Sequence, residues 1–454
     1  MHISSVLDRI VKAYDVRGLS PQELSPAVAE RLGAAFARWL TDNDHGTAVV
    51  LAGDMRPTTN ELIDALADGI TGQGLDVVVA GLSSTDQLYF ASGHLGLPGI
   101  QVTASHNPAE YNGMKMCRAM AAPIGADSGL EQIKALASEE LEPAKTRGAR
   151  STIDTLAAYA DHLHALVPLE GIRPLKIVID AGNGMAGLTA PAVLGSINAE
   201  ITPMYFELDG AFPNHPADPL NPDNLVDLQE AVRASGADLG LAFDGDADRC
   251  FVIDERGEPV SPSAITALIA ERELAKAPGE TIVHNVITSK TVPEVVAAAG
   301  GVANRTKVGH SNMKERMAQT NAVFGGEHSA HYYFRDFYFA DTGMLASMHV
   351  LAALGEQDGP LSELVSRYDR YAASGEINST VADTTQSLGL VRQHAEEMGA
   401  RIDELDGITA ELPDGAWFNV RPSNTEPLLR LNVEAADPAR MAQLRDELLA
   451  LIRR

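Results

Sequence analysis

Ser105 and His106 stand in a polar segment, Thr-Ala-Ser-His-Asn-Pro, that directly follows the apolar run 99–102. The apolar run is typical of a buried strand, and Pro108 predicts that the strand ends in a loop, because proline lacks an N–H and restricts the residue before it. The loop would present the serine hydroxyl and the imidazole at the carboxyl end of a strand, where open α/β sheets bind ligands. A serine in that place can carry a covalent intermediate if its surroundings activate it. An ordinary polar strand-to-helix loop has the same pattern, so the interpretation depends on further motifs.

Three aspartates alternate in the segment Asp-Gly-Asp-Ala-Asp-Arg, namely Asp244, Asp246 and Asp248, and Arg249 follows them. Positions i, i+2 and i+4 of an extended segment point to the same side. Three carboxylates on one side repel one another unless a cation neutralises them, and oxygen-only ligands suit a hard divalent ion such as Mg²⁺. Arg249 would suit an anion held by the same ion.

An EF-hand calcium loop is a competing interpretation of this acidic segment, with Asp244 at position one and Glu255 at position twelve. Position six needs glycine and is Arg249 instead, and the apolar flanks 239–243 and 251–253 indicate strands rather than helices. A solvated acidic turn is the other alternative, but strands on both sides would place the turn against the edge of a sheet. The pattern therefore favours a magnesium site.

Glu327 and Ser329 alternate in the segment Gly-Gly-Glu-His-Ser-Ala-His, which follows the apolar run 322–324. A carboxylate beside a hydroxyl is suited to hydrogen bonding with the vicinal hydroxyls of a sugar. His328 and His331 could instead be metal ligands, but no cysteine or third histidine stands nearby to complete such a site.

A candidate anion site lies near the C-terminus, in Arg-Pro-Ser-Asn-Thr-Glu-Pro, which begins at Arg421. The arginine offers a forked, bidentate donor for phosphate. Hydroxyl, amide and backbone N–H donors follow at Ser423, Asn424 and Thr425. A polar hairpin loop is the plain alternative, and the combination of an arginine with three consecutive small donors favours anion binding over it.

The elements that must position these motifs alternate between strands and helices. A helix is predicted over 60–72, where Leu62, Ile63, Leu66 and Ile70 recur at helical spacing. Apolar runs predict strands over 47–54, 75–81, 99–105, 176–181, 238–243, 250–254 and 281–288. This alternation predicts an α/β fold with mostly parallel sheets covered by helices. The last segment differs, because strands over 417–420 and 428–433 and a helix over 438–452 make a small α+β unit.

Length and composition exclude several classes of protein. With 454 residues, 45% of them hydrophobic, the chain can form two to four domains around sizeable cores. The absence of a long apolar run and of a signal-peptide pattern predicts no membrane span and a cytoplasmic location, and two cysteines, Cys117 and Cys250, fit a reducing compartment. A net charge of −27 repels nucleic acid and anionic membranes, so neither is expected as a partner. Oligomeric state has no readable signal.

The motifs together resemble those of the α-D-phosphohexomutase superfamily and keep that family's order of serine loop, metal loop, sugar loop and phosphate loop. The sugar loop is similar to that of the phosphomannomutase/phosphoglucomutase branch, and the family usually has glycine where Ala247 and Ala330 stand. The resemblance covers nearly the whole chain. It implies three related α/β domains with mixed sheets and a small C-terminal α+β domain around a central cleft, with boundaries expected at 1–148, 149–255, 256–368 and 369–454.

The resemblance also implies a role for each motif residue. Ser105 would be the phosphoserine, and Mg²⁺ would be held by a phosphate oxygen on Ser105 together with Asp244, Asp246 and Asp248. Glu327 and Ser329 would bind the sugar's O3 and O4. The phosphate that does not react would be held by Arg421, Ser423, Asn424 and Thr425. Substrate or acid–base groups lining the cleft would be Tyr14, Arg17, Lys115, Arg249, Lys290, His310 and His331. Either Lys115 or His106 could move the proton.

The activity implied is that of an isomerase that interconverts the 6-phosphate and 1-phosphate of mannose and/or glucose, with a hexose 1,6-bisphosphate as intermediate and activator. Sugar phosphates are therefore the expected partners. Two other classes stay open: a metal-dependent phosphatase that uses the same serine and metal, and a catalytically silent sugar-phosphate binding protein. The loops of Glu327 and Arg421 argue against the first, and three aspartates beside an intact serine loop argue against the second.

Overall fold

A computed structural model describes residues 3–423 and 428–453, so Asn424 and Thr425 of the predicted phosphate loop lie outside the described residues. The chain divides into two compact units. Unit 1 contains residues 3–260 and 329–364, and unit 2 contains residues 261–328 and the described part of 365–453. Every helix in the described ranges is too short or too polar to pass through a lipid bilayer.

The first part of unit 1 is a six-stranded mixed sheet covered by helices, with strand order β1-β5-β4-β2-β3-β6. Its helices are α1 (Ile3–Ile10), α2 (Pro26–Asp42), α3 (Thr59–Gly72), α4 (Thr85–Leu95) and α5 (Leu130–Ala137). Its strands are β1 (Val16–Leu19), β2 (Ala48–Gly53), β3 (Asp76–Leu82), β4 (Gly99–Val102), β5 (Tyr111–Cys117) and β6 (Arg150–Thr152). Strand β5 runs antiparallel to both β1 and β4, whereas β2 is parallel to β3 and β4.

A second sheet of unit 1 has five strands in the order β11-β10-β9-β7-β8. The elements here are α6 (Leu156–Leu166), β7 (Leu175–Asp180), α7 (Ala186–Leu194), β8 (Ala199–Met204), α8 (Val226–Ser235), β9 (Leu239–Phe243), β10 (Cys250–Asp254) and β11 (Pro259–Val260). Strands β9 and β10 are antiparallel because the acidic segment between them is too short for a parallel crossover. The expectation of mostly parallel sheets is therefore wrong here, and the mixed sheets implied by the resemblance are confirmed.

Unit 2 begins with three parallel strands, of which β12 is the middle one. The elements are α9 (Pro262–Lys276), β12 (Thr281–Asn285), α10 (Thr291–Ala298), β13 (Val302–Thr306), α11 (His310–Thr320) and β14 (Phe324–Gly326). The chain continues with β15 (Tyr332–Phe334), β16 (Ala340–Asp341), α12 (Gly343–Gly355) and α13 (Leu361–Ser366). In unit 1, β15 and β16 pair antiparallel, and α12 is buried along its whole length.

The C-terminal part of unit 2 is an antiparallel sheet with two helices, which confirms the predicted α+β unit. Its elements are β17 (Ala372–Ala373), β18 (Ile377–Thr380), α14 (Thr384–Glu397), β19 (Arg401–Asp403), β20 (Ile408–Glu411), β21 (Trp417–Pro422), β22 (Leu428–Ala435) and α15 (Pro438–Ile452). The strand order is β17-β22-β21-β20-β19, and β18 also pairs with β22. Helix α15 begins where Asp437 accepts hydrogen bonds from two backbone N–H groups, as an N-cap does.

Two glycines allow α2 and α3 to pack backbone to backbone. A Cβ atom at Gly69 would lie 2.0 Å from the carbonyl oxygen of Glu30, and one at Gly33 would lie 2.4 Å from that of Leu66. Because these contacts are with backbone atoms, a side chain could be accommodated only if the helices moved apart. Helix α3 follows directly on β2 and the segment 54–58, so its position bears on the site described below.

Gly69→Ala is expected to lower the free energy of unfolding by about 1–3 kcal/mol, since overpacking outweighs the better helix propensity of alanine. Urea unfolding measures the change. The matched control is Gly72→Ala in the same helix, where an added Cβ meets nothing within 4 Å, and the free energy of unfolding is expected to stay the same or to rise by up to about 1 kcal/mol there. Equal effects at the two positions would contradict the close packing.

Candidate active site

The serine loop leaves the end of β4 as a tight, buried turn. The backbone N–H of Ser105 donates to Thr103 Oγ1 over 2.9 Å, and that of Asn107 donates to the carbonyl of Ala104 over 2.9 Å. Ser105 is 5% exposed and has a φ of +48°, in the left-handed region that a residue with a side chain rarely adopts. The strand end and loop predicted from Pro108 are therefore present, and the serine within the loop is strained.

The Ser105 hydroxyl points at the acidic segment. Ser105 Oγ donates to Asp244 Oδ2 over 2.9 Å, and His106 Nδ1 lies 3.4 Å from the same hydroxyl. Arg249 Nη2 is 2.7 Å from His106 Nδ1, so this ring nitrogen is the acceptor and carries no proton in this arrangement. Arg249 and Asp244, which lie far along the chain from the serine loop, thus meet Ser105 and His106 around one hydroxyl.

The three aspartates converge because the segment turns and not because it is extended. The N–H of Ala247 donates to the carbonyl of Asp244 over 3.0 Å, and Ala247 has a φ of +60°. Asp244, Asp246 and Asp248 are fully buried, and one carboxylate oxygen from each lies within 4.8 Å of the others. The predicted convergence is present, although the predicted alternation along an extended segment is wrong.

Lys115 and Thr85 satisfy one oxygen on each of two aspartates. Lys115 Nζ lies 2.8 Å from Asp246 Oδ2 and 2.5 Å from Asp248 Oδ2, and Thr85 Oγ1 donates to Asp246 Oδ2 over 2.6 Å. The other oxygens, Asp246 Oδ1 and Asp248 Oδ1, are buried without a hydrogen-bond partner in the described part of the chain. His331 Nδ1 lies 3.9 Å from Asp248 Oδ1.

These oxygens fit a hard divalent cation. A buried carboxylate oxygen without a hydrogen-bond donor lowers the stability of the folded protein. Mg²⁺ binds oxygen ligands of this kind, so the ion would compensate both oxygens. The EF-hand alternative is wrong, because the flanks are the strands β9 and β10 and because Glu255 accepts hydrogen bonds from the backbone and side chain of Ser362. The acidic turn is therefore a candidate magnesium site within a β-hairpin.

Burial and neighbouring charges act in opposite directions on the ionisable groups here. Burial raises the pKa of Asp244 to about 7, against the effect of Arg249. Burial also acts to raise the pKa of Asp246, but the charge and hydrogen bond of Lys115 prevail and hold that pKa below its usual range. Burial acts to lower the pKa of Lys115, and the carboxylates of Asp246 and Asp248 outweigh it, so the pKa lies well above the usual value. Lys115 is thus a cation at neutral pH in this arrangement.

Two arginines hold the serine loop and the acidic turn. Arg17 Nη1 donates to the carbonyl of Ala104 over 2.7 Å and contacts Asn107 Oδ1 at 2.5 Å, while Nη2 pairs with Asp15 at 2.5 Å. Arg249 pairs with Asp244 through Nε at 3.0 Å and Nη2 at 2.9 Å. Arg17 and Arg249, to which the resemblance assigns substrate or acid–base roles, thus form hydrogen bonds or ion pairs with the serine loop and the acidic turn.

His331 also lies beside the acidic turn, and Asp341 holds its ring. His331 Nδ1 is 2.8 Å from Asp341 Oδ2, and His331 forms a backbone bridge with Arg249. Burial acts to lower the pKa of His331, but Asp248 and Asp341 outweigh it and raise that pKa above its usual value. Unit 1 also contains Tyr14, which is 39% exposed, and Ser329, which is half-buried.

Unit 2 holds Glu327 and His310 at the carboxyl ends of its parallel strands. Glu327 is 1% exposed, and its Oε2 accepts hydrogen bonds from Asn285 Nδ2 and from the N–H of Gly309, each over 3.1 Å. His310 is the first residue of α11 and is half-buried. The carboxylate of Glu327 is therefore fixed by the strand end of β12 and by the start of α11.

Lys290 connects two parts of unit 2. Its Nζ lies 3.3 Å from Glu411 Oε1 and 3.1 Å from the carbonyl of Gly415, and its backbone N–H donates to Glu434 Oε1 over 3.1 Å. Each of these partners belongs to the C-terminal sheet or its turns. The side chain that was predicted to bind substrate thus bridges α10 and the C-terminal α+β part.

Arg421 lies at the end of β21 and is 8% exposed. Its Nη2 contacts Glu376 Oε2 at 2.5 Å, and the other oxygen of Glu376 accepts from Arg430 Nη1 over 2.9 Å. Arg421 Nε is buried without a hydrogen-bond partner among residues 3–423 and 428–453. Ser423 is half-buried, and its N–H donates to the carbonyl of Leu428 over 2.9 Å. The arginine predicted to bind phosphate is thus positioned by an internal carboxylate.

The sequence motifs miss Asp54 and Arg56, which support the serine loop from the end of β2. Asp54 Oδ2 accepts from Thr103 Oγ1 over 2.7 Å, and Arg56 Nη2 donates to the carbonyl of Ser105 over 2.8 Å. Both residues are nearly fully buried. Their position in the sequence could have identified them, because Asp54 and Arg56 directly follow the predicted strand. A charged pair at the carboxyl end of a parallel strand lies at the ligand-binding edge of such a sheet.

The comparisons with known proteins agree with this geometry. Four family models described as parts of phosphoglucomutase/phosphomannomutase match in order: alpha/beta/alpha domain I over residues 8–144, domain II over 157–257, domain III over 261–371 and the C-terminal domain over 376–451. They account for nearly all of the chain. The exact boundaries predicted at 148, 255 and 368 stay predictions.

Similar proteins cover nearly the whole chain. A phosphomannomutase of Escherichia coli K12 is 41% identical over 449 residues, which are 96% of this chain and 97% of that protein. A protein of Xanthomonas campestris pv. campestris (strain ATCC 33913) named phosphohexose mutases is 40% identical over 440 residues, with 96% and 97% covered.

Solved structures show the same architecture. A phosphoglucomutase/phosphomannomutase family protein of Burkholderia thailandensis has a TM-score of 0.90 at 32% identity, over 100% of this chain and 98% of that one. An Aspergillus fumigatus N-acetylphosphoglucosamine mutase, solved with GlcNAc-6P and magnesium, shares the fold with a TM-score of 0.62 at 14% identity, over 100% and 98% of the two chains. With its serine loop, acidic turn and C-terminal α+β part, and with these relatives along its whole length, this chain belongs to the phosphoglucomutase/phosphomannomutase family of the α-D-phosphohexomutases, as its motifs predict.

Proposed function

We propose that this chain interconverts hexose 6-phosphates and hexose 1-phosphates, of mannose and/or glucose, through a phosphate ester on Ser105 and a hexose 1,6-bisphosphate. The observation that carries this proposal is the place of the Ser105 hydroxyl. Its Oγ lies 2.9 Å from Asp244 Oδ2, inside a buried cluster that also holds Lys115 and Arg249. A hydroxyl so placed can accept and donate a phosphoryl group where charges of both signs are fixed in advance.

The reaction consists of two phosphoryl transfers. In the first, the bond between phosphorus and Ser105 Oγ breaks and phosphorus bonds to the free hydroxyl oxygen of the sugar phosphate. Ser105 Oγ keeps the electron pair of the broken bond, and the hydroxyl loses its proton to the protein. After the bisphosphate has turned end for end, its other phosphate returns to Ser105 Oγ and the sugar oxygen takes up a proton. Lys115 and His106 are the candidates for moving that proton. Lys115 is a cation in this arrangement, so it could return a proton to the sugar oxygen but would have to lose its own before it could act as the base.

Asp244, Asp246 and Asp248, with a phosphate oxygen on Ser105, are the ligands proposed for Mg²⁺. When bound, the ion would offset charge on the transferring phosphoryl group. The two buried oxygens without hydrogen-bond partners in the described ranges, one on Asp246 and one on Asp248, support a cation at this place. The magnesium in the Aspergillus mutase supports the choice of ion.

The remaining assignments concern how the sugar phosphate is held. We assign the sugar's O3 and O4 to Glu327 and Ser329, and the phosphate that does not react to Arg421 and Ser423 with Asn424 and Thr425. Tyr14, Arg17, Arg249, Lys290, His310 and His331 are proposed as further substrate or acid–base groups, either directly or through the loops that they hold. Cys117 and Cys250 are buried as thiols and are not joined in a disulfide, which supports a reducing, cytoplasmic setting.

Treatment of the purified protein with glucose 1,6-bisphosphate is expected to add the mass of one phosphate, because the serine loop accepts the phosphoryl group. Intact-mass spectrometry measures the gain, and Ser105→Ala is expected to show none. Ser235→Ala, at an exposed serine at the end of α8, is the matched control and is expected to gain the phosphate, since Ser235 belongs to none of the motif loops. An active protein that never carries phosphate would overturn the assignment of Ser105. Release of inorganic phosphate without isomerisation would indicate the phosphatase. A protein that gains no phosphate and shows no activity would indicate the binding protein.

Mannose and glucose phosphates are expected to be turned over with kcat/KM values that differ by less than about 10⁴-fold. The reason is that a site which binds O3 and O4 leaves the epimeric C2 hydroxyl without a direct hydrogen bond, and direct recognition of a hydroxyl is what gives discrimination of about 10⁴ or more. Steady-state kinetics with mannose 1-phosphate and glucose 1-phosphate measure the ratio. A larger ratio would mean that a further group recognises C2.

Asp248→Asn is expected to lower activity in saturating Mg²⁺ by at least about 100-fold, because even outer partners of metal ligands contribute 10- to 100-fold. The rise in thermal midpoint that Mg²⁺ gives the wild type should also shrink, and this readout does not depend on turnover. Asp358→Asn, at an exposed aspartate, is the matched control and should retain both. If Asp248→Asn keeps the full Mg²⁺-dependent midpoint shift, Asp248 is not a ligand.

A further inference from the structure

Arg56 is a buried arginine whose guanidinium faces the backbone of the serine loop. Nη1 donates to the carbonyls of Pro108 over 2.8 Å and Tyr111 over 2.9 Å. Nη2 donates to the carbonyls of Ser105 over 2.8 Å and Asn107 over 2.6 Å. One side chain thus gathers four carbonyl oxygens from both sides of the loop, and no other residue described above contacts so much of it.

The fifth donor and the charge of Arg56 are matched by Asp54. Arg56 Nε donates to Asp54 Oδ2 over 3.2 Å, and both side chains have no exposed surface. Asp54 in turn accepts hydrogen bonds from the hydroxyls of Thr59, over 3.0 Å, and Thr103, over 2.7 Å. A guanidinium has five N–H donors, and in Arg56 all five are used within the protein. Arg56 therefore has none left for a phosphate, which separates it from a substrate-binding arginine.

The conformation that Arg56 supports is the strained one at Ser105. A φ of +48° costs a residue with a side chain roughly 1–2 kcal/mol, so it persists only where neighbours enforce it. The backbone of Gly245 also lies close against the carbonyl of Ser105, since an added Cβ there would lie 2.4 Å from that oxygen. A relaxation of this backbone would swing Oγ away from Asp244.

We propose that Arg56 is a positioning residue that fixes the left-handed backbone of Ser105 and so sets the rate of phosphoryl transfer. The inference rests on the proposed function of Ser105 and adds to it a residue that touches neither substrate nor the reacting atoms. An arginine is required because a planar fork can reach four carbonyls in fixed directions, whereas the three donors of a lysine ammonium cannot.

The test begins with Arg56→Lys, which keeps a positive charge beside Asp54 and removes the fork. Its kcat is expected to fall by about 100-fold or more while KM stays within about threefold, because a misplacement near 1 Å costs this much in rate and no substrate contact is removed. Single-turnover transfer of phosphate from glucose 1,6-bisphosphate to Ser105, followed by intact mass, should slow by the same factor. Arg38→Met is the matched control, since Arg38 also donates to a backbone carbonyl of this part of unit 1 but far along the chain from the serine loop. A kcat within threefold of the wild type in Arg56→Lys would overturn the proposal.

A second variant decides the case if Arg56→Lys does not fold. Arg56→Met with Asp54→Leu removes both buried charges together, a change that is often neutral for stability. It is expected to fold and to remain about 100-fold slow, and wild-type turnover in it would overturn the proposal. A crystal structure of either variant measures the φ of Ser105 whether or not the protein is a mutase. If Ser105 keeps its left-handed φ and its hydrogen bond from Oγ to Asp244, Arg56 is not the positioning residue. If the wild type never carries phosphate on Ser105, only the proposed function is rejected.

Discussion

The crowding of three buried carboxylates in one turn is the constraint on which the rest of unit 1 depends. Carboxylates within 4.8 Å of one another cannot all remain ionised in a protein interior unless cations compensate them. Lys115 and Arg249 supply part of that compensation, and the pairing of Gln101 with Lys115 between β4 and β5 fixes where the lysine stands. The antiparallel strand β5 therefore does more than extend the sheet, because it carries a cation to the strand end that also carries Ser105.

Left-handed backbone at residues with side chains recurs in three of the motif loops. Ser105, Ala247 and Ala330 have φ values of +48°, +60° and +65°. The resemblance implies glycine where Ala247 and Ala330 stand in this chain, and the left-handed conformations offer a physical reason, since glycine adopts such backbone without steric cost. In this chain alanine adopts the left-handed backbone at both positions, at a conformational cost of roughly 1–2 kcal/mol each. Contacts with the buried surroundings must offset this cost. At Ser105, an exchange for glycine would remove the hydroxyl on which the proposed phosphoryl transfer depends.

Much of the fold and the site could be predicted from local patterns. The helix at 438–452 matches α15 because proline, an N-cap aspartate and helical periodicity act within one segment. Apolar runs predict the strands beside the acidic segment. Their antiparallel pairing follows from the short segment between them, whereas the alternation of strands and helices along the chain suggests parallel pairing. Residue types identified Ser105 and the aspartates, whereas Arg56 escaped notice because its partners are backbone carbonyls, and these leave no trace in the sequence. The bridging contacts of Lys290 were equally hidden, since they depend on which turn of another sheet meets α10.

Arg421 is held in place by Glu376, whose second oxygen is bound by Arg430. A ligand anion that approaches Arg421 therefore meets a guanidinium that already has a counter-ion, and that counter-ion is tied to a second arginine. A monoanionic ligand would add little electrostatic attraction to that already provided by the Glu376 carboxylate. A phosphate monoester carries close to two charges at neutral pH and three oxygens, and it can engage Nε as well. Under the role proposed for Arg421, the arrangement would act as a threshold for ligand charge and would favour a phosphorylated ligand over neutral sugars and simple carboxylates.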